Sequence, residues 1–262
     1  MVSGAELPGF DAGCVRWRIA GFFVHFTMAY YIRILGVRDE GIPLEELSAA
    51  LSAAKLAGIA CGKPSAAAEE LTVRQKEGAT AGGQGAAAGG QGAGISAGSA
   101  AHWTVMDVTN AGGEPVTEIE RNPVVAGEFG QQELDEFRKL IQGEEPSSAV
   151  QWLSDYFNQV TVIYAFRITE TTLKDDNYEI VIALKAAIWD KVGGLMQTDG
   201  EGCTNDQGYH ILWQFPDTAS GDRYCAVLDE KGEWQRFRMD LGDHFQRMAF
   251  RAGEVPQMAV RL

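Results

Sequence analysis

The chain is poor in the residues that most often announce a chemistry. Its four cysteines, Cys14, Cys61, Cys203 and Cys225, form no CxxC pair and sit far apart, which argues against a zinc knuckle and a disulfide framework. Cys203 and Cys225 fall in neighbouring segments, and reduced thiols in a cytoplasmic protein are the expectation. No stretch matches a nucleotide, metal or nucleophile motif, so neither a cofactor nor a bound metal is expected. Basic residues are also scarce, with 22 Lys and Arg against 36 Asp and Glu and a formal net charge of −14. Most of that imbalance lies in residues 101–262, which hold 14 basic and 27 acidic side chains. A field of that sign repels phosphate backbones, so nucleic acid and anionic membrane surfaces are poor partners.

Long apolar runs are missing too. The longest, Ile19 to Ile32, follows Arg16 and Arg18, but its uninterrupted apolar part is about half the ~20 residues that span a bilayer. Glu6 and Asp11 lie upstream, no small-x-small cleavage site follows, and Ala12-Gly13-Cys14 has no apolar region before it. Residues 1–27 are therefore read as a non-essential apolar extension and residues 28–262 as one domain.

What is present is enough apolar material for a core: 45% hydrophobic and 10% aromatic residues in 262. Met28 to Gly36 has the alternation of a first strand, with Tyr30, Ile32 and Ile34 on one face. Pro43 and the acids Glu45 and Glu46 open a helix running to about Ala57, with Leu44, Leu47, Leu51 and Ala54 as its stripe. From Lys63 to Ala100 the composition shifts to Ala, Gly, Gln and Ser, with a seven-residue echo at Ala81 and Ala88. Such a segment has little to bury and reads as a low-complexity, disordered insertion. Its glycine spacing fits neither G-x-G-x-x-G nor a P-loop.

Order resumes with a hairpin, His102–Val108 and Pro115–Arg121, joined at Asn110–Glu114, where Glu120 and Arg121 suggest an ion pair. Helices follow at Gln131–Gln142, with Leu134, Phe137, Leu140 and Ile141 inward, and from Pro146, with Val150, Leu153, Tyr156 and Phe157 inward. Val160–Ile168 is apolar on both faces, as a central strand should be. Asp176–Val192 has helical spacing and ends at Gly193-Gly194. Gly193 to Asp240 then reads as a β-meander. In it Tyr209, Ile211, Trp213 and Phe215 face the core, His210, Leu212 and Gln214 form a polar side, and Gln235-Arg236 marks either a bulge or burial on both faces. A last short helix at Asp243–Arg251 would turn Phe245, Met248 and Ala249 inward. The expected fold is α+β: a mainly antiparallel sheet covered by three or four helices.

The candidate site is the loop 199–210. Asp199, Glu201, Asn205 and Asp206 gather oxygen-bearing side chains among glycines, but Cys203 interrupts the ligand spacing of a calcium loop. A polar turn whose amide and carboxylate side chains cap the backbone explains the same residues. Asp199, Glu201 and His210 are candidates for acid–base catalysis, and Cys203 with His210 or His244 is a candidate nucleophilic pair. Trp213 is a candidate for partner contact, as are the acidic residues. The leading expectation is a soluble non-catalytic binding or accessory protein that engages a protein partner through an acidic face. The alternative is a small hydrolase-like or metal-assisted enzyme centred on 199–210. Convergence of Asp199, Glu201 and His210 on one pocket would separate the two.

Overall fold

The computed structural model describes residues 29–60, 68–74 and 103–262. The proposed extension 1–27, most of the low-complexity span, and Cys14 and Cys61 lie outside the described residues. In chain order the elements are β1 (Tyr30–Gly36), α1 (Leu44–Ala60), β2 (Ala68–Arg74), β3 (Val105–Asn110), β4 (Pro115–Pro123), α2 (Phe129–Leu140), α3 (Ser147–Tyr156), β5 (Val162–Ile168) and α4 (Asp175–Val192). There follow β6 (Leu195–Thr198), β7 (Gly202–Thr204), β8 (His210–Trp213), β9 (Asp222–Leu228), β10 (Trp234–Asp240), α5 (His244–Arg251) and β11 (Val260–Arg261). Strand β2 lies inside the span read as an insertion and pairs antiparallel with β3.

The 11 strands form one sheet in the order β11-β10-β9-β8-β7-β6-β1-β5-β4-β3-β2. One contact is parallel, the His210 to Cys225 bridge between β8 and β9, and the other described pairings are antiparallel. The class is α+β with a mainly antiparallel sheet, but the described residues hold five α-helices where three or four were expected. The last of them, α5, where a short helix at Asp243–Arg251 was expected, starts at a strong cap, because Asp243 Oδ1 accepts from the amides of Phe245 and Gln246.

β5 is central, as its two-sided apolar sequence requires, and β1 lies between β5 and β6. One sheet face carries Ile32, Ile34, Met106, Ile119, Tyr164 and Phe166 and packs against α1 and α4. On the other face Leu35, Ile163, Leu195 and Ile211 pack against α2 and α3. Gly193 and Gly194, at φ 62° and 93°, end α4 and return the chain directly into β6 beside β1.

Several side chains differ from their sequence-based placement. Leu140 is exposed, because α2 seats on β4 through Gly130, Glu133, Leu134 and Phe137. A Cβ at Gly130 would stand 2.4 Å from the Pro123 carbonyl oxygen, so only glycine permits that approach. Ala54 is exposed on α1. On α5, Phe245 and Met248 face solvent at 83% and 53% exposure, while Gln246 and Phe250 turn inward. The reason is Gln246, whose side chain donates to Asp243 Oδ2 and accepts from the Asp240 amide, which fixes the helix rotation. Register along β9 and β10 runs unbroken from Trp234 to Asp240, so burial on both faces explains Trp234, Phe237 and Met239 without a bulge. Phe237 and Met239 enter one core, while Trp234 packs edge-on against Trp152 in the other at 5.2 Å.

Candidate functional site

Turn 199–201 leaves β6 at the middle of the sheet, and its two acids part company at once. Asp199 Oδ2 accepts from the Tyr31 amide at 3.0 Å, and its Oδ1 accepts from Arg33 Nη1 at 2.6 Å. Arg33 also donates through Nε to Glu133 Oε1 at 2.8 Å and through Nη1 to Gln197 Oε1 at 2.9 Å. The guanidinium further sits 4.9 Å from the Tyr31 ring centre and 5.3 Å from that of Phe137. Burial raises the Glu133 carboxyl above its ordinary range despite the opposing pull of Arg33, and Glu120 and Glu136 add to the rise. Glu201 turns elsewhere, with Oε2 accepting from Arg223 Nη2 at 2.8 Å.

His210 joins neither acid. Alternation placed it on a polar side, but all four residues of β8 are buried, and His210 is 1% exposed. The strand lies between two cores, so its nominal polar face meets Phe215 and Phe250, with ring centres 4.7 and 6.1 Å away. Neither ring nitrogen makes a hydrogen bond of normal geometry. Burial, seconded by the Arg223 charge and weakly opposed by the Leu212 backbone, holds the imidazole well below its ordinary pKa.

The remaining loop candidates divide between structure and surface. Asn205 is fully buried, and its Oδ1 accepts from the amides of Gln207 and Tyr209 at 3.1 and 2.9 Å, which is the turn-capping role. Asp206 is exposed. Trp213 is 6% exposed, donates from Nε1 to the Phe215 carbonyl, and borders a cavity of about 50 Å³ with His244, Arg247 and Arg251. Cys203 and Cys225 are free, lie in different cores, and have thiols pushed up to about 12 by burial. His244 is exposed on α5, so it does not activate Cys203. Among the described residues no group of three His, Cys, Asp or Glu side chains is arranged to hold a metal ion.

Two further groupings escaped the sequence. The first is the part of the α2–α3 face that those helices leave uncovered. Cross-strand register lines up Asp107, Glu118, Arg167 and Tyr31 in one row, and Glu120, Ala165, Arg33 and Gln197 in the next. Asp107, Glu118 and Arg167 also line a depression of about 260 Å³. Arg121, next to Glu120 in sequence, points to the opposite face and pairs with Asp39. Strand alternation thus excludes the Glu120–Arg121 pair that their adjacency suggested.

The second grouping surrounds Arg223 on the α4 side. Its guanidinium lies over the Phe215 ring at 5.4 Å while it holds Glu201. The charges of Arg223 and Glu201 both act on Tyr178 and Lys185 of α4, and Glu201 and Tyr178 act on Tyr30. Burial raises both phenols above their ordinary range and lowers the Lys185 ammonium. Signals for this cluster existed only as single residues at positions 30, 178, 185 and 223, scattered over three elements.

Comparison with protein-family models, curated proteins and solved structures finds no match to this chain.

Proposed function

We propose that the protein is a non-catalytic binding or accessory protein that engages a basic protein segment through the acidic part of its sheet that α2 and α3 do not cover. The observation that carries this reading is the cross-strand array of Asp107, Glu118 and Glu120 beside Glu133, Glu136 and Asp199. Arg33 and Arg167 are the cations in its register rows, and Arg33 already serves Glu133 and Asp199. A surface of that balance favours a cationic partner and speeds its encounter, and it disfavours nucleic acid.

Support also comes from the three candidate catalytic side chains. Asp199 is held by Arg33, Glu201 by Arg223, and His210 lies in an aromatic enclosure. General acid–base work needs such groups within reach of one reacting atom. No helix among the described residues is long and apolar enough to cross a membrane. A cytoplasmic setting belongs to the same proposal, supported by the free thiols of Cys203 and Cys225.

The test is binding of an Arg- and Lys-rich peptide library to the full chain, measured by fluorescence anisotropy. Asp107→Lys with Glu118→Lys should abolish binding, and raising the salt concentration should weaken it in the wild type. Peptide affinity that is unchanged by the double substitution would reject this face as the interface.

A further inference from the structure

The five tryptophans among the described residues divide into two groups. Trp103, Trp189 and Trp213 each donate from Nε1 to a main-chain carbonyl, those of Ile42, Gly194 and Phe215. Trp152 and Trp234, which touch edge-on at 5.2 Å, are partly exposed. Among the described residues their indole N–H groups find no acceptor, and neither nitrogen is sealed from water. An indole N–H left open at the surface is available to a ligand.

Three elements bring further rings to the same place. Tyr156, one helical turn after Trp152 on α3, stacks on it at 4.7 Å and 28°. Trp234 and Arg236 share one face of β10, and Arg236 lies over the Tyr209 ring at 5.3 Å while its Nη2 donates to Gln207 Oε1. All four rings rest on the core beneath α2 and α3 and keep a partly exposed edge. The phenol oxygens of Tyr156 and Tyr209 also have no partner among the described residues and are open to water. Burial, with the Asp206 charge adding to it, pushes the Tyr156 phenol up to about 12, so it is a donor at neutral pH.

The open groups are two indole N–H groups, which cannot accept, and two phenol O–H groups. Their complement is a ligand that carries apolar rings and a row of unpaired acceptors. A polyproline II segment is such a ligand, since its carbonyls make no internal hydrogen bonds and its prolines bring no N–H. Being already extended, it docks on aromatic surfaces at low entropic cost. A sugar brings as many donors as acceptors and matches the set less well. Nucleic acid is disfavoured by the exposed acids Asp155 and Glu233, which precede Tyr156 and Trp234 in the chain.

We propose that Trp152, Tyr156, Tyr209 and Trp234 form a docking platform for a proline-rich peptide segment in the polyproline II conformation, their indole and phenol tips donating to its carbonyls. The platform lies on α3, β10 and the turn before β8, away from the acidic rows of β3, β4, β5 and β1, and does not depend on them.

The experiment titrates the full chain with a capped decaproline peptide, against a capped Gly-Ser peptide of equal length and against maltohexaose. Decaproline should move the Trp152 and Trp234 Nε1–H resonances saturably and leave those of Trp103, Trp189 and Trp213 in place. Tyr156→Phe removes one hydroxyl but keeps the ring, and should bind about fivefold more weakly, the size of one lost neutral hydrogen bond. Trp234→Phe should weaken binding by at least as much, whereas Asp107→Lys with Glu118→Lys should leave it unchanged. Unmoved Trp152 and Trp234 resonances, full affinity in both Tyr156→Phe and Trp234→Phe, or an equal response to the Gly-Ser peptide would overturn the platform. Loss of decaproline binding in the sheet-face variant would put the peptide on that face and overturn the platform as well. A response to maltohexaose without one to decaproline would overturn the ligand class.

Discussion

Asp199 and Glu201 stand two residues apart, yet each is bound by a different arginine: Asp199 by Arg33 at 2.6 Å and Glu201 by Arg223 at 2.8 Å. Because Gly200 between them has φ 73°, the turn sends the two carboxylates apart, each toward its own cation. Both have side-chain exposure near two-fifths, 38% and 37%, so water still reaches them. Paired in this way, they present no shared oxygen cage to a hard cation, which takes six to eight oxygens at roughly 2.3–2.6 Å when it is calcium.

Millimolar calcium, magnesium or manganese should therefore leave the thermal midpoint unchanged. A bound ion would stabilise by about 2.7 kcal/mol at a hundredfold excess over its Kd. A rise that disappears in the Asp199→Asn, Glu201→Gln double variant would overturn the non-catalytic reading and make metal-assisted chemistry the leading function.

The Arg33 network makes a second prediction. Arg33 and Glu133 have side chains only 14% and 11% exposed, so Arg33→Met strands a buried carboxylate and should cost about 3 kcal/mol in urea unfolding. The sign of the pH effect follows from Glu133, whose folded pKa is raised above the ordinary 4.5. The native state then holds this proton more tightly than the unfolded chain does. Its contribution is full below 4.5 and is lost as pH rises through the folded value. Relative to Glu133→Gln, the wild type should lose stability between acid and neutral pH. An unchanged difference across that range would show that Glu133 ionises as freely in the fold as outside it.

Much of this architecture could be seen in the sequence, wherever one residue period dominated. The run Val160 to Ile168 announced a central strand, Asp176 to Val192 a helix stopped by two glycines, and Asn110 to Glu114 a hairpin turn. Alternation failed at β8, since a strand buried on both sides erases the polar–apolar period that would have marked His210. Rotation of α5 was hidden because Gln246, a polar residue, is drawn inward by Asp243 and Asp240. Asp199 and Glu201 were visible as candidates, but their partners Arg33 and Arg223 lie 166 and 22 residues away. Such long-range pairs leave no local signal, and the acidic rows of the sheet arise from register alone.

Glycine positions give a graded test of the turns that carry these acids. A Cβ at Gly194 would stand 2.0 Å from the Leu35 carbonyl oxygen, and one at Gly202 2.0 Å from that of Leu212, both at positive φ. Gly194→Ala and Gly202→Ala each combine backbone strain with overpacking and should cost at least about 3 kcal/mol. Gly200 has positive φ but nothing within 4 Å of its Cβ position, so Gly200→Ala should cost only about 1 kcal/mol. Chemical denaturation of the three variants gives the ranking, and equal costs would disprove the close approaches of Gly194 and Gly202.

His210 supplies the sharpest prediction, because its burial is nearly complete and both ring nitrogens lack hydrogen bonds. An unsatisfied buried polar group costs about 1–3 kcal/mol. Phe215 and Phe250 already face the ring, so a phenyl group at this position keeps the aromatic contacts and removes the polar atoms. His210→Phe should accordingly stabilise the protein at pH 7.5. The gain should grow on acidification, since the folded pKa lies well below the ordinary 6.5. Below 6.5 the unfolded chain takes up a proton that the native imidazole refuses, so wild-type stability falls with pH until the lowered folded value is reached. The variant lacks this term, and thermal melts of both proteins from pH 7.5 to 5 should diverge steadily. Parallel curves, or a His210→Phe variant less stable at every pH, would mean that the imidazole is solvated or hydrogen-bonded after all, and that Phe215 and Phe250 do not seal it from water.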